Sequence, residues 1–199
     1  MKDLTKRSEF WNHHNIIYHQ GNCQKDPFIL TPNWQSLYQG KQVLEIGPGE
    51  GRQFKILLPL TSSYDIADIS PDVVRNPIYK QTHKQSLLTS WDLSLNTMYD
   101  TICLWYVFHH VLKSEAAGLI SFLSRHTKHG GFVHFNCPQI VSHSGLSVNQ
   151  DGNGRETTPW ILKEILDLFT KPDWIVSYRT STNDLSNGFV ILAQKSDLA

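Results

Sequence analysis

The residues best placed to do chemistry are three glycines that follow a short apolar run. Gly47, Gly49 and Gly51 stand within five residues. They come directly after Val43–Ile46, a run with the composition of a buried β-strand. Glycine has no Cβ, so such a segment turns sharply and lets a ligand lie against backbone N–H groups. The pattern predicts a nucleotide-type binding site at the end of this strand.

An acidic residue at a suitable distance completes this pattern. Asp68 lies 21 residues after Gly47, at the carboxyl end of the next predicted strand. One carboxylate there can accept hydrogen bonds from both hydroxyls of a ribose. A glycine turn with such an acid is typical of adenosine recognition, and it suits an NAD site and an S-adenosylmethionine site equally well.

Predicted strands and helices alternate along the chain. Strands are predicted at 41–46, 64–69, 99–106, 132–137, 174–180 and 189–194, with a weakly defined one within 79–88. Helices are predicted at 4–20, 33–39, 52–60 and 114–128, the last closed by His129-Gly130-Gly131, with further helices starting at Ser70-Pro71 and Thr158-Pro159. Alternation of this kind favours right-handed crossovers. We therefore expect an α/β fold in which helices cover both faces of a mostly parallel sheet.

Charge and length limit the class of protein. The 199 residues contain 18 lysines plus arginines and 18 aspartates plus glutamates, so no overall basic field favours nucleic acid or a membrane as the partner. The longest apolar run, Ile102–Phe108, is too short to span a bilayer. The polar start does not resemble a signal peptide, and we expect a cytoplasmic protein with one full core.

The cysteines and histidines do not predict a metal centre. Cys23, Cys103 and Cys137 are odd in number and widely spaced, which favours reduced, buried thiols. None of the ten histidines is accompanied by cysteines or carboxylates at ligand spacing. The segment 151–154 has the composition of a polar turn rather than of a calcium loop.

Four segments, taken in order, resemble the signature of class I S-adenosylmethionine-dependent methyltransferases. They are the glycine turn with its strand, Ala67–Asp72, Tyr99–Ile102 leading to Val107–Val111, and His129–Phe132. Together they cover roughly 42–137. The resemblance implies a three-layer, Rossmann-like methyltransferase fold whose seven-stranded sheet is mostly parallel, with an antiparallel last strand.

The resemblance also implies a division of the chain and a cofactor. We expect a single methyltransferase domain over 1–199, with an N-terminal helical cap at 1–40 and a cofactor-binding core at 41–137. Residues 138–199 would supply an acceptor loop, then a C-terminal helix and strands. The cofactor would be S-adenosylmethionine, which leaves as S-adenosylhomocysteine.

Particular residues are implied to hold this cofactor. In the family the glycine turn lies against the methionine portion, and the acid before it, here Glu45, helps to order that end. Asp68, followed by Ile69, would bind the ribose.

Three later positions would hold the other parts of the cofactor. Ser90 and Trp91, ahead of Asp92-Leu93, are implied to flank the adenine. Leu104 would offer its backbone carbonyl to the amino group of the cofactor.

His109 and His110 follow the fourth predicted strand, on the side where a methyl acceptor would lie. An imidazole can take a proton from a hydroxyl or an amine near neutral pH. Methyl transfer from a sulfonium depends more on alignment than on base strength. The two histidines are therefore candidate catalytic residues, and the alternative is that they bond the backbone or line the pocket.

Recognition of the acceptor must come from outside the shared core. One candidate is the N-terminal helix with Trp11, His14 and Tyr18, and the other is the polar segment 138–157 with His143. A connection of about twenty residues is usually functional or disordered. We predict that the two segments form a lid that excludes water. The alternative for the helix is simple packing over the sheet edge.

The sequence thus predicts methyl transfer to an oxygen, nitrogen or carbon atom of a small or medium-sized metabolite. One alternative is a nucleic-acid or protein methyltransferase, which would need a basic or aromatic groove. Another is a cofactor-binding protein that has lost transfer activity, because Thr89 replaces a frequent acid and Leu104 a commonly small or polar residue. A dehydrogenase fits less well, since the glycine spacing is G-x-G-x-G rather than G-x-G-x-x-G.

Overall fold

The computed structural model describes residues 31–138, 149–150, 156–169, 173–181 and 188–197. Its strands are β1 Gln42–Ile46, β2 Ser63–Asp68, β3 Gln85–Leu87, β4 Tyr99–Leu104, β5 Thr127–Pro138, β6 Asn149–Gln150, β7 Glu156–Thr157, β8 Trp174–Ser181 and β9 Gly188–Lys195. Its α-helices are α1 Arg52–Leu57, α2 Pro71–Val74, α3 Lys113–His126 and α4 Leu162–Leu168. Short 3-10 helices cover Trp34–Leu37, Leu58–Leu60, Pro77–Gln81 and Phe108–His110. The predicted helix 4–20 lies outside the described residues.

Seven strands form one sheet in the order β3-β2-β1-β4-β5-β9-β8. The strands from β3 to β5 pair in parallel, whereas β9 runs antiparallel between β5 and β8. The predicted α/β architecture with an antiparallel last strand is therefore confirmed. Strands β6 and β7 pair separately as a small antiparallel ladder.

Both faces of the central strands are buried. Adjacent strand residues point to opposite faces, and each face is covered by helices. On one face Leu44 packs in a cluster that includes Leu119 of α3 and Ile165 of α4. On the other face Val43 packs with Phe54 of α1. Burial on both sides explains why β1 reads as a continuous apolar run rather than as an alternating one.

The predicted turn at Gly130-Gly131 was wrong, since both glycines lie inside β5. The ladder with β4 jumps from the pair Tyr99–Thr127 to the pair Thr101–Phe132, so the intervening residues bulge out of register. A Cβ on Gly131 would lie 2.9 Å from the Lys128 carbonyl oxygen. These glycines permit a bulge rather than end a helix.

Two other predicted boundaries also moved. Helix α4 begins at Leu162 rather than at Thr158, and the Glu164 carboxylate accepts the Ile161 N–H at 3.3 Å at its start. Strand β4 ends at Leu104 rather than at Tyr106, because Tyr106 has a φ of 59°, which is incompatible with a strand.

The described cysteines and helices yield three further findings. Cys103 and Cys137 are buried and free. Within the part of the chain that the structure describes, no group of three histidine, cysteine or acidic side chains could hold a metal ion. The helices among those residues include none long and apolar enough to cross a membrane.

Candidate functional site

The site lies at the carboxyl ends of the central strands. Strand β1 pairs with β2 on one side and β4 on the other, so the direction of strand order reverses around β1. A crevice forms at such a reversal and is where parallel sheets bind ligands. The glycine turn (Gly47–Gly51) follows β1, Asp68 ends β2, and the histidine turn (Phe108–His110) follows β4. The fold therefore brings three of the predicted segments to one edge of the sheet.

The three glycines of the turn have left-handed backbones and two different surroundings. Their φ values are 68°, 55° and 77° for Gly47, Gly49 and Gly51. A Cβ on Gly47 would lie only 2.4 Å from Cγ2 of Val107, whereas a Cβ on Gly49 would meet nothing within 4 Å. Gly47 is therefore required by packing against the segment after β4, whereas the space beside the Gly49 Cα is empty.

Asp68 connects the end of β2 to the glycine turn. Its Oδ1 accepts the Ser70 N–H at 2.8 Å, and the backbone N–H groups of Ile69 and Gly49 lie near enough to favour its charged form. Burial raises the pKa of Asp68 to about 7, against the opposing effect of these N–H groups. A carboxylate offers about four acceptor positions, so these contacts leave capacity for a ligand hydroxyl.

Glu45 lies buried behind the turn and is incompletely bonded. Its Oε2 accepts the Tyr64 hydroxyl at 2.7 Å, while Oε1 has no hydrogen-bond partner in the described part of the chain. Burial raises the pKa of Glu45 to about 7, the Tyr64 bond lowers it, and the charge of Asp68 raises it. A buried acceptor without a donor suits a ligand that brings an N–H group or a positive charge.

Tyr79 supports the turn and was missed by sequence reasoning. Its hydroxyl donates to the Gly49 carbonyl oxygen at 2.7 Å. Its ring is fully buried and packs edge-on against Phe54, with ring centroids 5.2 Å apart. Thirty residues separate Tyr79 from Gly49, and no local pattern marks the contact.

We expect Tyr79→Phe to weaken binding of S-adenosylhomocysteine, the product form of the implied cofactor, by roughly 2- to 12-fold. The substitution keeps the packing and removes one hydrogen bond, worth about 0.5 to 1.5 kcal/mol. Isothermal titration calorimetry measures the change. Tyr99→Phe is the matched control, because that buried hydroxyl donates to Asp65 at 2.9 Å, outside the glycine turn. Equal affinities for both variants would contradict the role of Tyr79.

The residues predicted for the adenine pocket have structural contacts of their own. The Ser90 hydroxyl accepts the Asp92 N–H at 3.1 Å. Trp91 packs edge-on against Phe122 of α3, with ring centroids 5.9 Å apart, and its carbonyl accepts an Arg125 N–H at 2.6 Å. These contacts fix the loop on α3, and adenine binding by Ser90 and Trp91 stays a prediction. Leu104 ends β4 with its side chain in the core, and its carbonyl role also stays a prediction.

The two histidines lie in a 3-10 turn rather than at the strand end. His109 is 8% exposed, and its ring centroid lies 3.8 Å from that of His110. Burial lowers the pKa of His109 well below its usual value of 6.5, and the neighbouring His110 lowers it further. His109 is therefore a neutral imidazole near pH 7.

A strained residue precedes this turn. Tyr106 has a φ of 59°, and its N–H donates to the Asn136 side-chain oxygen at 2.7 Å. A non-glycine residue in this region persists only when its surroundings hold it there. Asn136, buried on β5, supplies that restraint, and sequence reasoning did not find it.

Four predicted acceptor residues fall outside the described part of the chain. They are Trp11, His14, Tyr18 and His143. The site therefore brings together Glu45, the glycine turn, Asp68 and Ile69 with the histidine turn.

The two raised pKa values predict pH-dependent binding. Below pH 7 Asp68 and Glu45 take up protons and lose both charge and acceptor capacity. We expect affinity for S-adenosylhomocysteine to fall about tenfold from pH 8 to pH 6 for each carboxyl that must ionise. Calorimetry in buffers of different ionisation enthalpy should show proton release on binding. An affinity that does not change between pH 8 and pH 6 would contradict the prediction.

The same shifts act on stability with the opposite trend. Both pKa values are raised above those of the unfolded chain, so the folded state binds more protons between about pH 4 and pH 7. Their contribution to stability is full at low pH and is lost as the pH rises through 7. As the pH falls through 7, these two groups should therefore raise the free energy of unfolding.

Solved structures of other methyltransferases have a similar fold. A magnesium protoporphyrin IX methyltransferase from Synechocystis PCC 6803, solved with bound S-adenosylmethionine, has a TM-score of 0.65 at 12% identity, covering 98% of each chain. The N-methyltransferase NodS from Bradyrhizobium japonicum WM9, solved with S-adenosylhomocysteine, has a TM-score of 0.64 at 12% identity, covering 94% of this chain and 97% of that one.

A further solved structure is similar over most of its length. An S-adenosylmethionine-dependent methyltransferase from Clostridium acetobutylicum ATCC 824 has a TM-score of 0.67 at 12% identity, covering 85% of this chain and 89% of that one. Identities this low establish the fold alone. No curated protein sequence matches the chain.

The sheet order and the reversal at β1 are those of the class I, Rossmann-like fold, and the chain is a methyltransferase that depends on S-adenosylmethionine. The model of the methyltransferase domain family matches residues 22–160. The chain belongs to this family.

Proposed function

We propose that this enzyme methylates an oxygen, nitrogen or carbon atom of a small or medium-sized metabolite. The observation that carries the site assignment is the pair of buried carboxyls, Glu45 and Asp68, at the glycine turn. One has an unpartnered oxygen, and the other accepts the Ser70 N–H at 2.8 Å and has acceptor positions to spare. Such a set fits a ligand with a cationic end and a diol, as S-adenosylmethionine has.

Nine residues are assigned to the cofactor in this proposal. They are Glu45, Gly47, Gly49, Gly51, Asp68, Ile69, Ser90, Trp91 and Leu104. Glu45 and the turn would receive the methionine end, Asp68 the ribose, and the loop with Ser90 and Trp91 the adenine. Tyr79 would act indirectly, by holding the turn in place.

The residues around the site would serve mainly to align the acceptor. Bound S-adenosylmethionine supplies a methyl group on an activated sulfonium, so reactivity need not come from the protein. The chain would bring the acceptor into line and exclude water. His109, neutral and buried, could accept a proton or a hydrogen bond from the acceptor. Trp11, His14, Tyr18 and His143 are proposed to cover the acceptor from the N-terminal and 138–157 segments.

The charge of the chain favours a metabolite over a nucleic acid as the acceptor, and its cysteines favour the cytoplasm as the location. Formal charges balance at zero, which gives no general attraction for phosphate backbones. Cys103 and Cys137 are free and buried, which suits a reducing compartment. Solved relatives of this fold include proteins described as methyltransferases of magnesium protoporphyrin IX and of an amino pentose.

Titration calorimetry with S-adenosylhomocysteine tests the cofactor site directly. We expect one molecule of S-adenosylhomocysteine to bind per chain. In a separate assay, we expect the enzyme to form S-adenosylhomocysteine when it is incubated with S-adenosylmethionine and a panel of metabolites. Transfer only to RNA, DNA or protein would contradict the proposed acceptor class. Failure of the folded wild-type protein to bind would contradict the site itself.

The two histidines can be separated by single substitutions. If one is the general base, its alanine variant should lose roughly 100-fold or more in turnover. Affinity for S-adenosylhomocysteine should stay unchanged, since neither imidazole is assigned to the cofactor. Steady-state turnover on an acceptor found in the panel measures the effect. Wild-type turnover in both variants would leave catalysis to alignment.

A further inference from the structure

The segment that precedes α4 is fastened to the histidine turn. The Thr158 N–H donates to the His109 carbonyl oxygen at 2.7 Å. The Trp160 indole N–H donates to the Val111 carbonyl oxygen at 3.1 Å, and its ring packs on Phe108 with centroids 5.2 Å apart. Residues 158–160 therefore lie directly against the histidine turn.

Two polar atoms at this junction lack partners. Thr158 Oγ1 and His109 Nδ1 are buried and have no hydrogen bond within the described residues, and Thr158 is only 1% exposed. Buried polar atoms are nearly always bonded, so each exception needs an explanation. Other buried threonines in the fold obey the rule, since the Thr127 hydroxyl donates to the Leu123 carbonyl at 2.7 Å.

We propose that Thr158 and His109 form the polar part of the acceptor site, and that the acceptor presents a neutral O–H or N–H group to them. The inference rests on the proposed function and adds the chemistry of the acceptor group. The Thr158 hydroxyl can donate and accept, and one imidazole nitrogen can accept or donate according to tautomer. Their backbones are joined by the hydrogen bond from the Thr158 N–H to the His109 carbonyl oxygen, which keeps the two residues adjacent.

The surrounding charges favour a neutral group over an anion. Among residues 107–113 and 157–160, Lys113 is the only lysine, arginine or acidic residue. Its ammonium is paired with Glu164 at 2.5 Å and lies 5.6 Å from the centre of the Trp160 ring. His109 is uncharged, because burial depresses its pKa. A carboxylate or phosphonate placed here would lose its water without gaining a cation.

Binding of small probes to the protein saturated with S-adenosylhomocysteine tests this site. Threonine methyl NMR would follow Thr158 during titration with neutral phenol, benzyl alcohol and aniline, and with anionic benzoate and phenylphosphonate. We expect at least one neutral probe to shift the Thr158 methyl, and the anions not to. The affinity of that probe for the variants is measured by titration calorimetry, because they lack the Thr158 methyl. Thr158→Val keeps the shape, removes the hydroxyl, and should weaken that probe at least fivefold, whereas Thr158→Ser should bind it as wild type does.

Thr127→Val is the matched control. It also removes a buried hydroxyl, but at the first residue of β5, whereas the site lies at the carboxyl ends of the strands. It should lower stability and leave probe binding unchanged. A Thr158 methyl that no neutral probe shifts, a preference for the anions, or equal affinity in Thr158→Val would overturn the inference. Loss of S-adenosylhomocysteine binding by the wild type, measured first, would instead overturn the proposed function.

Discussion

Replacing Asp68 with alanine should weaken binding of S-adenosylhomocysteine by roughly 10- to 150-fold. Hydrogen bonds to a charged group are worth about 1.5 to 3 kcal/mol, and Asp68 is the proposed partner of the ribose hydroxyls. The variant also loses the hydrogen bond that Asp68 Oδ1 accepts from the Ser70 N–H at 2.8 Å. Calorimetry at pH 8 measures the effect with the carboxyl ionised, since its pKa is about 7.

A second acid on the same strand provides the control for this experiment. Asp65 is also buried on β2, and it accepts the Tyr99 hydroxyl at 2.9 Å. Asp65→Ala should therefore lower the free energy of unfolding and leave cofactor affinity unchanged. Asp68→Asn should lie between wild type and Asp68→Ala, because the amide keeps one acceptor oxygen and no charge. Wild-type affinity in Asp68→Ala would refute the assignment of the ribose site.

Gly47→Ala should lower the free energy of unfolding by about 2 to 5 kcal/mol. A left-handed backbone costs an L-residue about 1 to 2 kcal/mol, and overpacking of a filled core adds about 1 to 3 kcal/mol. The second effect applies because the new Cβ would lie 2.4 Å from Val107 Cγ2. Urea denaturation monitored by circular dichroism measures the loss.

Gly40 separates the two contributions. It has the same φ of 68° as Gly47, and a Cβ there would meet nothing within 4 Å. Gly40→Ala should therefore show only the backbone effect. The double variant Gly47→Ala, Val107→Ala should recover part of the loss relative to its Val107→Ala parent. A Gly47→Ala protein no less stable than Gly40→Ala would show that Val107 yields without cost.

The local elements of this fold could be predicted from the sequence. β1, β2, β4, β5 and β9 each contain apolar residues between turn residues, and such a pattern depends only on near neighbours. The cap at the start of α2 was also correct, since the Ser70 hydroxyl accepts the Val73 N–H at 3.3 Å. The segment 79–88 was ambiguous because β3 is only three residues long and its side chains are not fully buried.

The predicted ends of helices and strands were wrong where tertiary contacts outweighed the local sequence pattern. Gly130-Gly131 has the composition of a helix end, yet its glycines serve a bulge against β4. Thr158-Pro159 resembles a helix start, yet the Thr158 N–H is bonded to His109 and the helix begins at Leu162. Local patterns cannot reveal a partner that lies on a distant strand or turn.

The sequence alone determined the class of fold, the glycine turn and the acid that faces it, because these depend on short segments with strong chemical character. Only the tertiary structure decided that Gly47 is required by packing against Val107, whereas the space beside Gly49 is empty. It also showed the hydrogen bonds that Tyr79, Asn136 and Thr158 make around the glycine turn and the histidine turn. Each of these acts through one hydrogen bond to a residue at least thirty positions away, and such contacts exist only once the sheet brings its strand ends together.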